Sequence, residues 1–376
     1  MIFVKALFWG SLGALAWTHA GYPLAAAALA RLRPRRVRKA ELTPSVSLIV
    51  AAWNEESVIG RRVENLLAQD YPADRLEVVV ASDASTDRTH EIVEEIAARE
   101  PRVRLLRCER GGKVAAQNRA VAETAGEILA FSDANAVWEP DSLRKLVRNF
   151  ADSEVAYACG RVNLISSDGT NREGAYWRFE TWLRAQESLT GSLTGGYGPI
   201  YAVRRADYVD VDPRFGHDLA LPYLMVQRGR RAVYEPEALS SEKESRDLED
   251  EYRRKVRMFE HCWLITLRGR TLRRLPPLYL AEMVSHRHLR YGSGLLHLVL
   301  LGTSIALVQE GPIYQAVLAG QGAFLALAVA GRLGVKIPGA ALAYYYVLVT
   351  WATVVSLAGY LRHGVPAVWE QAEGTR

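Results

Sequence analysis

Acidic and amide side chains stand where short apolar runs stop. Asn54 and Glu55 follow "VSLIVAAW", Asp83 ends "EVVVASD", and Asp133 and Asn135 close "ILAFSDAN". Asp133 and Asn135 offer two oxygen ligands separated by a single residue, which suits a hard cation such as Mg²⁺ or Mn²⁺. Such an ion needs few protein ligands when a diphosphate supplies the rest. A carboxylate at Asp83 can accept hydrogen bonds from a ribose or from a pyrimidine N–H. Lys113, in "ERGGKVAAQNRA", follows two glycines and opens a helical pattern, where backbone N–H groups and an ammonium favour phosphate. The GxxxxGK[ST] spacing of a P-loop is absent. Plainer roles exist for each: an Asx turn at Asp133, a helix cap at Asn135, and an N-cap at Asp218 in "GHDLALP".

The elements that must position these residues alternate. "VSLIVAA" (46–52), "EVVVAS" (77–82), "VRLLR" (103–107) and "EILAFS" (127–132) read as buried strands, and "SVIGRRVENLLAQ" and "RTHEIVEEIAAR" as helices between them. This βαβα order predicts an α/β fold with a parallel sheet, whose ligands bind beyond the carboxyl ends of the strands. After about residue 155 the alternation loosens into one more strand, "VAYACGRVNLI", then an aromatic-rich helix and a glycine-rich loop, "TGGYGPIYAVRR". There the glycines allow close backbone approach, and Tyr197 offers a ring to a sugar. "SRDLEDEYRRKVRMFEHCW" reads as a charged helix, and "LRGRTLRRLPPLYLAEMV" as a helix lying at a membrane surface.

Charge divides the chain of 376 residues unevenly. Residues 6–30 carry no Asp, Glu, Lys or Arg, and apolar stretches at about 292–308, 313–333 and 337–361 fill the end. The first is read as a membrane anchor, because Arg31, Arg33, Arg35, Arg36, Arg38 and Lys39 follow it directly and would resist translocation. The positive-inside rule then places the central domain in the cytosol. Gln309–Pro312 lies outside, and Arg332 and Lys336 flank an inside turn. Whether all three C-terminal stretches span, or one is re-entrant, stays open. Net charge is +5, with the basic residues beside the apolar stretches, so lipid head groups are the expected partner and nucleic acid is not. Cys108, Cys159 and Cys262 are too scattered for a disulfide framework or a zinc site. "HRHLR" (286–290) is not read as a metal site, since its histidines do not share a helical face.

Five blocks resemble, in order and spacing, the membrane-integrated family 2 glycosyltransferases of GT-A (Rossmann-like) fold, the group of hyaluronan, cellulose and poly-N-acetylglucosamine synthases. They are "VSLIVAAWNEESVI", "VVVASDASTD", "GGKVAAQNRAVAETAGEILAFSDAN", "TGGYGPIYAVRR" and "HDLALPYLMVQRGRRAVYEPEA". The resemblance implies a nucleotide-diphosphate sugar donor, a divalent cation, inversion at the anomeric carbon, and a lipid-linked or glycan acceptor at the cytosolic face of the cell membrane. It also implies that Asn54, Glu55 and Asp83 contact the nucleoside and that Lys113 lies near the diphosphate. Asp133 begins the DxD-like metal motif, Gly196-Tyr197-Gly198 belong to the acceptor loop, and Asp218 is the catalytic base.

Three positions depart from that pattern. Asn135 is neutral where the motif ends in Asp, His217 precedes the base where an acid is usual, and the QxxRW block reads Arg254-Lys-Val-Arg257-Met258. Arg254 and Arg257 still share a helical face able to clamp a diphosphate. Met258 weakens a processive, polymer-secreting reading, and the three departures together keep alive a catalytically silent envelope subunit. The expected organisation is an anchor and basic flank (1–40), a GT-A domain (41–260), an interfacial segment (261–291) and C-terminal transmembrane helices with a tail (292–376).

Overall fold

The computed structural model describes residues 1–165, 174–243 and 248–368. The chain divides into two compact units. One is built on Ala26–Arg246 with Gly269–Leu280 and Pro366–Arg376, the other on Met1–Ala25, Asp247–Arg268 and Ala281–Val365. The helix carrying Arg254 and Arg257 thus groups with the apolar segments, whereas the sequence suggested one domain over 41–260.

The first unit is built on one sheet of eight strands: β1 (Val46–Ala52), β2 (Leu76–Asp83), β3 (Val103–Cys108), β4 (Ile128–Asp133), β5 (Val137–Trp138), β6 (Val155–Ile165), β7 (Tyr201–Arg204) and β8 (Arg231–Lys243). Their order is β3-β2-β1-β4-β7-β6-β8-β5. β1, β2, β3 and β4 pair in parallel, while β7 runs antiparallel to both β4 and β6. β1, β2 and β4 are buried along nearly their whole length, which is why they read as unbroken apolar runs. Edge strand β3 is instead only partly buried, with Arg104 and Arg107 exposed. The chain runs from β1 outward through β2 to β3, then crosses back to β4 on the other side of β1, so the crevice at the ends of β1 and β4 is a topological switch point. In register, Asp133 stands beside Ala51, which brings the end of β4 level with the end of β1.

Helices cover this sheet by simple periodicity. Ile59, Arg62, Val63 and Leu66 are the buried residues of Ile59–Leu67, spaced three and four apart on one face. Arg62 is the unusual member: it is buried, donates to Ser132 Oγ at 2.5 Å and lies over the Trp138 ring. Burial pulls its guanidinium down to about 9. The basic flank runs along this unit without regular structure. Arg35 pairs with Glu154, Arg38 with Asp152 and Lys39 with the buried Glu235. Half of the run expected to face lipid is therefore engaged by protein carboxylates, although all six basic residues are exposed.

The second unit is helical. Pro312–Arg332 and Ala340–His363 are long and apolar enough to cross a membrane; Ser293–Ala306 is apolar but shorter. At the N-terminus, Ile2–Ala16 and Tyr22–Leu32 are joined through a π-helical turn at Trp17–Gly21. Phe8, Leu15, Leu300, Leu307 and Tyr314 form a buried cluster. Trp263 of the Leu248–Arg268 helix donates to Thr353 O at 2.8 Å. His19 and His297 both reach the Tyr346 hydroxyl, at 3.0 and 2.8 Å. The expected surface helix over 267–284 does not form as one piece. Arg270 and Arg274 take left-handed backbone, Pro276 and Pro277 follow, and helix resumes only at Pro277–Glu282.

Candidate active site

Each strand end delivers its polar residue to the same rim. Asp83, at the end of β2, is 2% exposed and makes a dense set of contacts. Its Oδ1 accepts from Gly111 N at 2.7 Å and Gly112 N at 3.0 Å, and its Oδ2 from Gly112 N at 3.0 Å and Arg110 Nη1 at 2.5 Å. The Arg110 guanidinium lies 3.6 Å over the Trp53 ring. Gly112 is required for this turn: its φ is +88°, and a Cβ there would sit 2.1 Å from the Ala367 carbonyl oxygen. Asn54 has left-handed backbone and joins the loops after β1 and β2, accepting from Thr86 N at 2.8 Å and donating its own N–H to Ser85 Oγ. Glu55 is buried, with its N–H on Thr89 Oγ1 at 2.8 Å.

Lys113, in the first turn of Lys113–Ala122, pairs with Asp133 Oδ1. Burial alone would lower the ammonium's pKa; Asp133 reverses that and holds it above the ordinary value. Asn135 lies on the turn just after β4 and is half-buried.

The glycine-rich loop of Gly196, Tyr197 and Gly198 closes over this pair. A Cβ built on Gly198 would lie 3.4 Å from Lys113 Nζ, 3.6 Å from Asp133 Oδ2 and 4.0 Å from Asp218 Oδ2. Four residues that the sequence placed in three separate blocks thus converge on one point. Gly196 is packed as tightly, since a Cβ there would stand 1.9 Å from the Tyr157 hydroxyl. Tyr197 offers no open face to a sugar: it is buried, with Arg184 4.1 Å over its ring and Trp177 at 5.1 Å. Arg184 also holds the loop, donating to Gly195 O and, at 3.1 Å, to Gly196 O.

Asp218 lies in the first turn of His217–Gln227, a helix with Pro222 inside it. Proline lacks the N–H that would bond the carbonyl four residues earlier, which is that of Asp218. The freed carbonyl accepts from Gly196 N at 2.7 Å, so a helix irregularity fastens the acceptor loop to the candidate base. Burial, with Asp133 nearby, raises the Asp218 carboxyl above its ordinary value, while Lys113 and Arg184 oppose the rise. His217 faces the other way. Its Nδ1 is 3.0 Å from Tyr201 OH, its Nε2 is 3.2 Å from Asn118 Oδ1, and its ring stands edge-on to Phe131. Burial drives its pKa down to about 3, so it is a neutral core residue and not a failed acid.

Arg254 and Arg257 belong to the helical unit, where Arg254 pairs with Glu251 at 2.7 Å and Met258 is exposed. Arg110, Arg184 and Arg62 were not singled out from sequence as site residues. Arg110, one position before the Gly-Gly turn, carried the most legible signal.

A curled α/β sheet with carboxylates at a switch point and Asp218 beside a glycine loop has the GT-A fold. Residues 47–211 match the sequence model of glycosyl transferase family 2. The chain is 36% identical over 174 residues to a beta-monoglucosyldiacylglycerol synthase of Synechocystis sp., covering 44% of this chain and 36% of that protein. It is 27% identical over 215 residues to an N-acetylglucosaminyltransferase of Rhizobium meliloti, covering 52% and 50%. The chain therefore spans half or less of these relatives' length. Among solved structures it resembles a mannosyltransferase from Pyrobaculum calidifontis in complex with GDP-Man and Mn²⁺, with TM-score 0.75 and 23% identity, over 96% of this chain and 98% of that one.

Proposed function

We propose that this protein transfers a sugar, with inversion, from a nucleotide-diphosphate sugar to a lipid-linked or glycan acceptor at the cytosolic face of the cell membrane. The convergence of Lys113, Asp133 and Asp218 around Gly198 carries this reading. Asp83 and Asn54 hold the nucleoside, and Lys113 turns from Asp133 to the diphosphate. Asp218 takes the proton of the acceptor hydroxyl as that oxygen attacks the anomeric carbon. The carbon–oxygen bond to the diphosphate breaks on the opposite face, and the nucleoside diphosphate leaves with the bonding electrons.

Asp133 and Asn135 suit Mg²⁺ or Mn²⁺ as oxygen ligands. Among the described residues no group of three or more His, Cys, Asp or Glu could hold an ion, so donor phosphates would have to complete the shell. When bound, such a cation neutralises the departing diphosphate. The likeness to a glycolipid synthase supports a lipid acceptor, and the outward apolar side chains of Pro312–Arg332, among them Leu325 and Val329, support a membrane setting. His217, the departure nearest the base, is accounted for by packing, which removes one ground for a silent subunit.

Purified full-length protein with labelled UDP-, GDP- and dTDP-sugars, Mn²⁺ and mixed lipids tests this. Label should pass to the organic phase from one donor class. Binding of a nucleotide without transfer to any lipid or glycan would return the reading to a silent subunit.

A further inference from the structure

The inference rests on the nucleotide-sugar reading above and concerns which base the site takes. Arg110 holds two positions at once. Its guanidinium carbon lies 3.6 Å from the centre of the Trp53 ring, close to the spacing of stacked aromatic layers, and its Nη1 reaches Asp83 Oδ2 at 2.5 Å. Stacking on an aromatic platform and donating a single N–H to a carboxylate are the contacts a nucleobase would make there.

We propose that Arg110 is a displaceable placeholder for the base, and that the site it vacates selects uracil or thymine over guanine and adenine. A carboxylate accepts in about four directions. Gly111 and Gly112 occupy both directions of Oδ1, and Gly112 one side of Oδ2; these are backbone donors of a turn that cannot move away. Arg110 is the exception, because its side chain is 27% exposed and free to swing out. Its departure opens one acceptor direction, on Oδ2. Uracil and thymine present one ring N–H between two carbonyls and match that count. Guanine presents a ring N–H and an amino group side by side and needs both oxygens. Adenine would turn a ring nitrogen lone pair toward the carboxylate, which repels it. The displaced guanidinium, three residues from Lys113, becomes a partner for the diphosphate.

Calorimetry on the full-length protein in detergent, with Mn²⁺, compares UDP, dTDP, GDP and ADP, then uridine and guanosine, for wild type and Arg110→Met. In wild type, UDP and dTDP should bind at least about tenfold more tightly than GDP and ADP, the scale of one hydrogen bond to a charged group. Arg110→Met should tighten uridine by about tenfold, tighten UDP less because a phosphate partner is lost, and leave guanosine excluded. The wild-type comparison needs no variant to fold. GDP binding as well as UDP would overturn the base selection while leaving sugar transfer intact, since a GDP-sugar could still be the donor. Weaker uridine binding in Arg110→Met would make Arg110 a ligand of the base and end the placeholder role. No nucleotide binding by either protein would remove this inference and the transfer reading together.

Discussion

At the β1–β4 side of the sheet, Asp83 is bound to Arg110 and Lys113 to Asp133. At the β6–β8 side, by contrast, Tyr157 Oη, Tyr234 Oη and Arg184 Nε are buried with no hydrogen-bond partner among the described residues. The acceptor loop is nevertheless fixed there by backbone and Arg184 contacts. The two sides differ in what a substrate must do. On the proposed function, a donor would exchange ion pairs that the protein makes with itself, so its binding should depend on a cation and on salt. An acceptor meets a base and a loop already fastened to each other. Affinity is therefore adjustable on one side and turnover on the other.

Predictions can separate the sides, beginning with the largest effect. Asp218→Asn should leave donor affinity unchanged and slow transfer at least about a hundredfold, the usual scale for loss of a general base. Unequal donor affinity in that variant would show that the sides are coupled. Asp133→Ala should weaken donor binding at least about tenfold and abolish its response to Mn²⁺, as calorimetry would read. Pro222→Ala restores an N–H that competes with Gly196 for the Asp218 carbonyl. Thermal stability should rise, while turnover falls a few-fold at constant donor affinity. Stability and turnover rising together would make the Pro222 irregularity incidental.

His217 gives the mildest test and concerns the core beneath the site. Its pKa is about 3 in the fold against 6.5 when free, so the unfolded chain binds the proton first. Its contribution is complete above pH 6.5 and is lost as pH falls from there toward 3. Denaturation midpoints should decline over that window, and His217→Gln should flatten the decline. An unchanged slope in the variant would assign it to other groups.

The parallel half of the fold was legible because its strands are buried on both faces. β1 and β6 fall where the apolar runs predicted, and β2, β3 and β4 differ by a residue at their ends. β7 and β8 were not, and Pro236 shows why. The ladder between β6 and β8 slips between Cys159 and Arg161, opposite the Tyr234–Leu239 stretch, where a proline without an N–H can be tolerated. Charged residues beside it erase any apolar run. Asp83, Asp133 and Asp218 could be picked out because they punctuate such runs or match a motif. Arg184 could not, and Arg110 only by its place before the Gly-Gly turn, since a long basic side chain in a loop or helix reads as solvated until the fold turns it inward. Tyr197 read as a sugar platform for the opposite reason: nothing in "TGGYGP" announces Arg184 above its ring.

The most direct test measures donor binding and transfer on the same samples of wild type and Asp218→Asn, with and without Mn²⁺. Mn²⁺-dependent binding of equal strength is expected in both proteins, with transfer in the wild type alone. Transfer surviving in Asp218→Asn, or binding indifferent to Mn²⁺, would contradict this expectation.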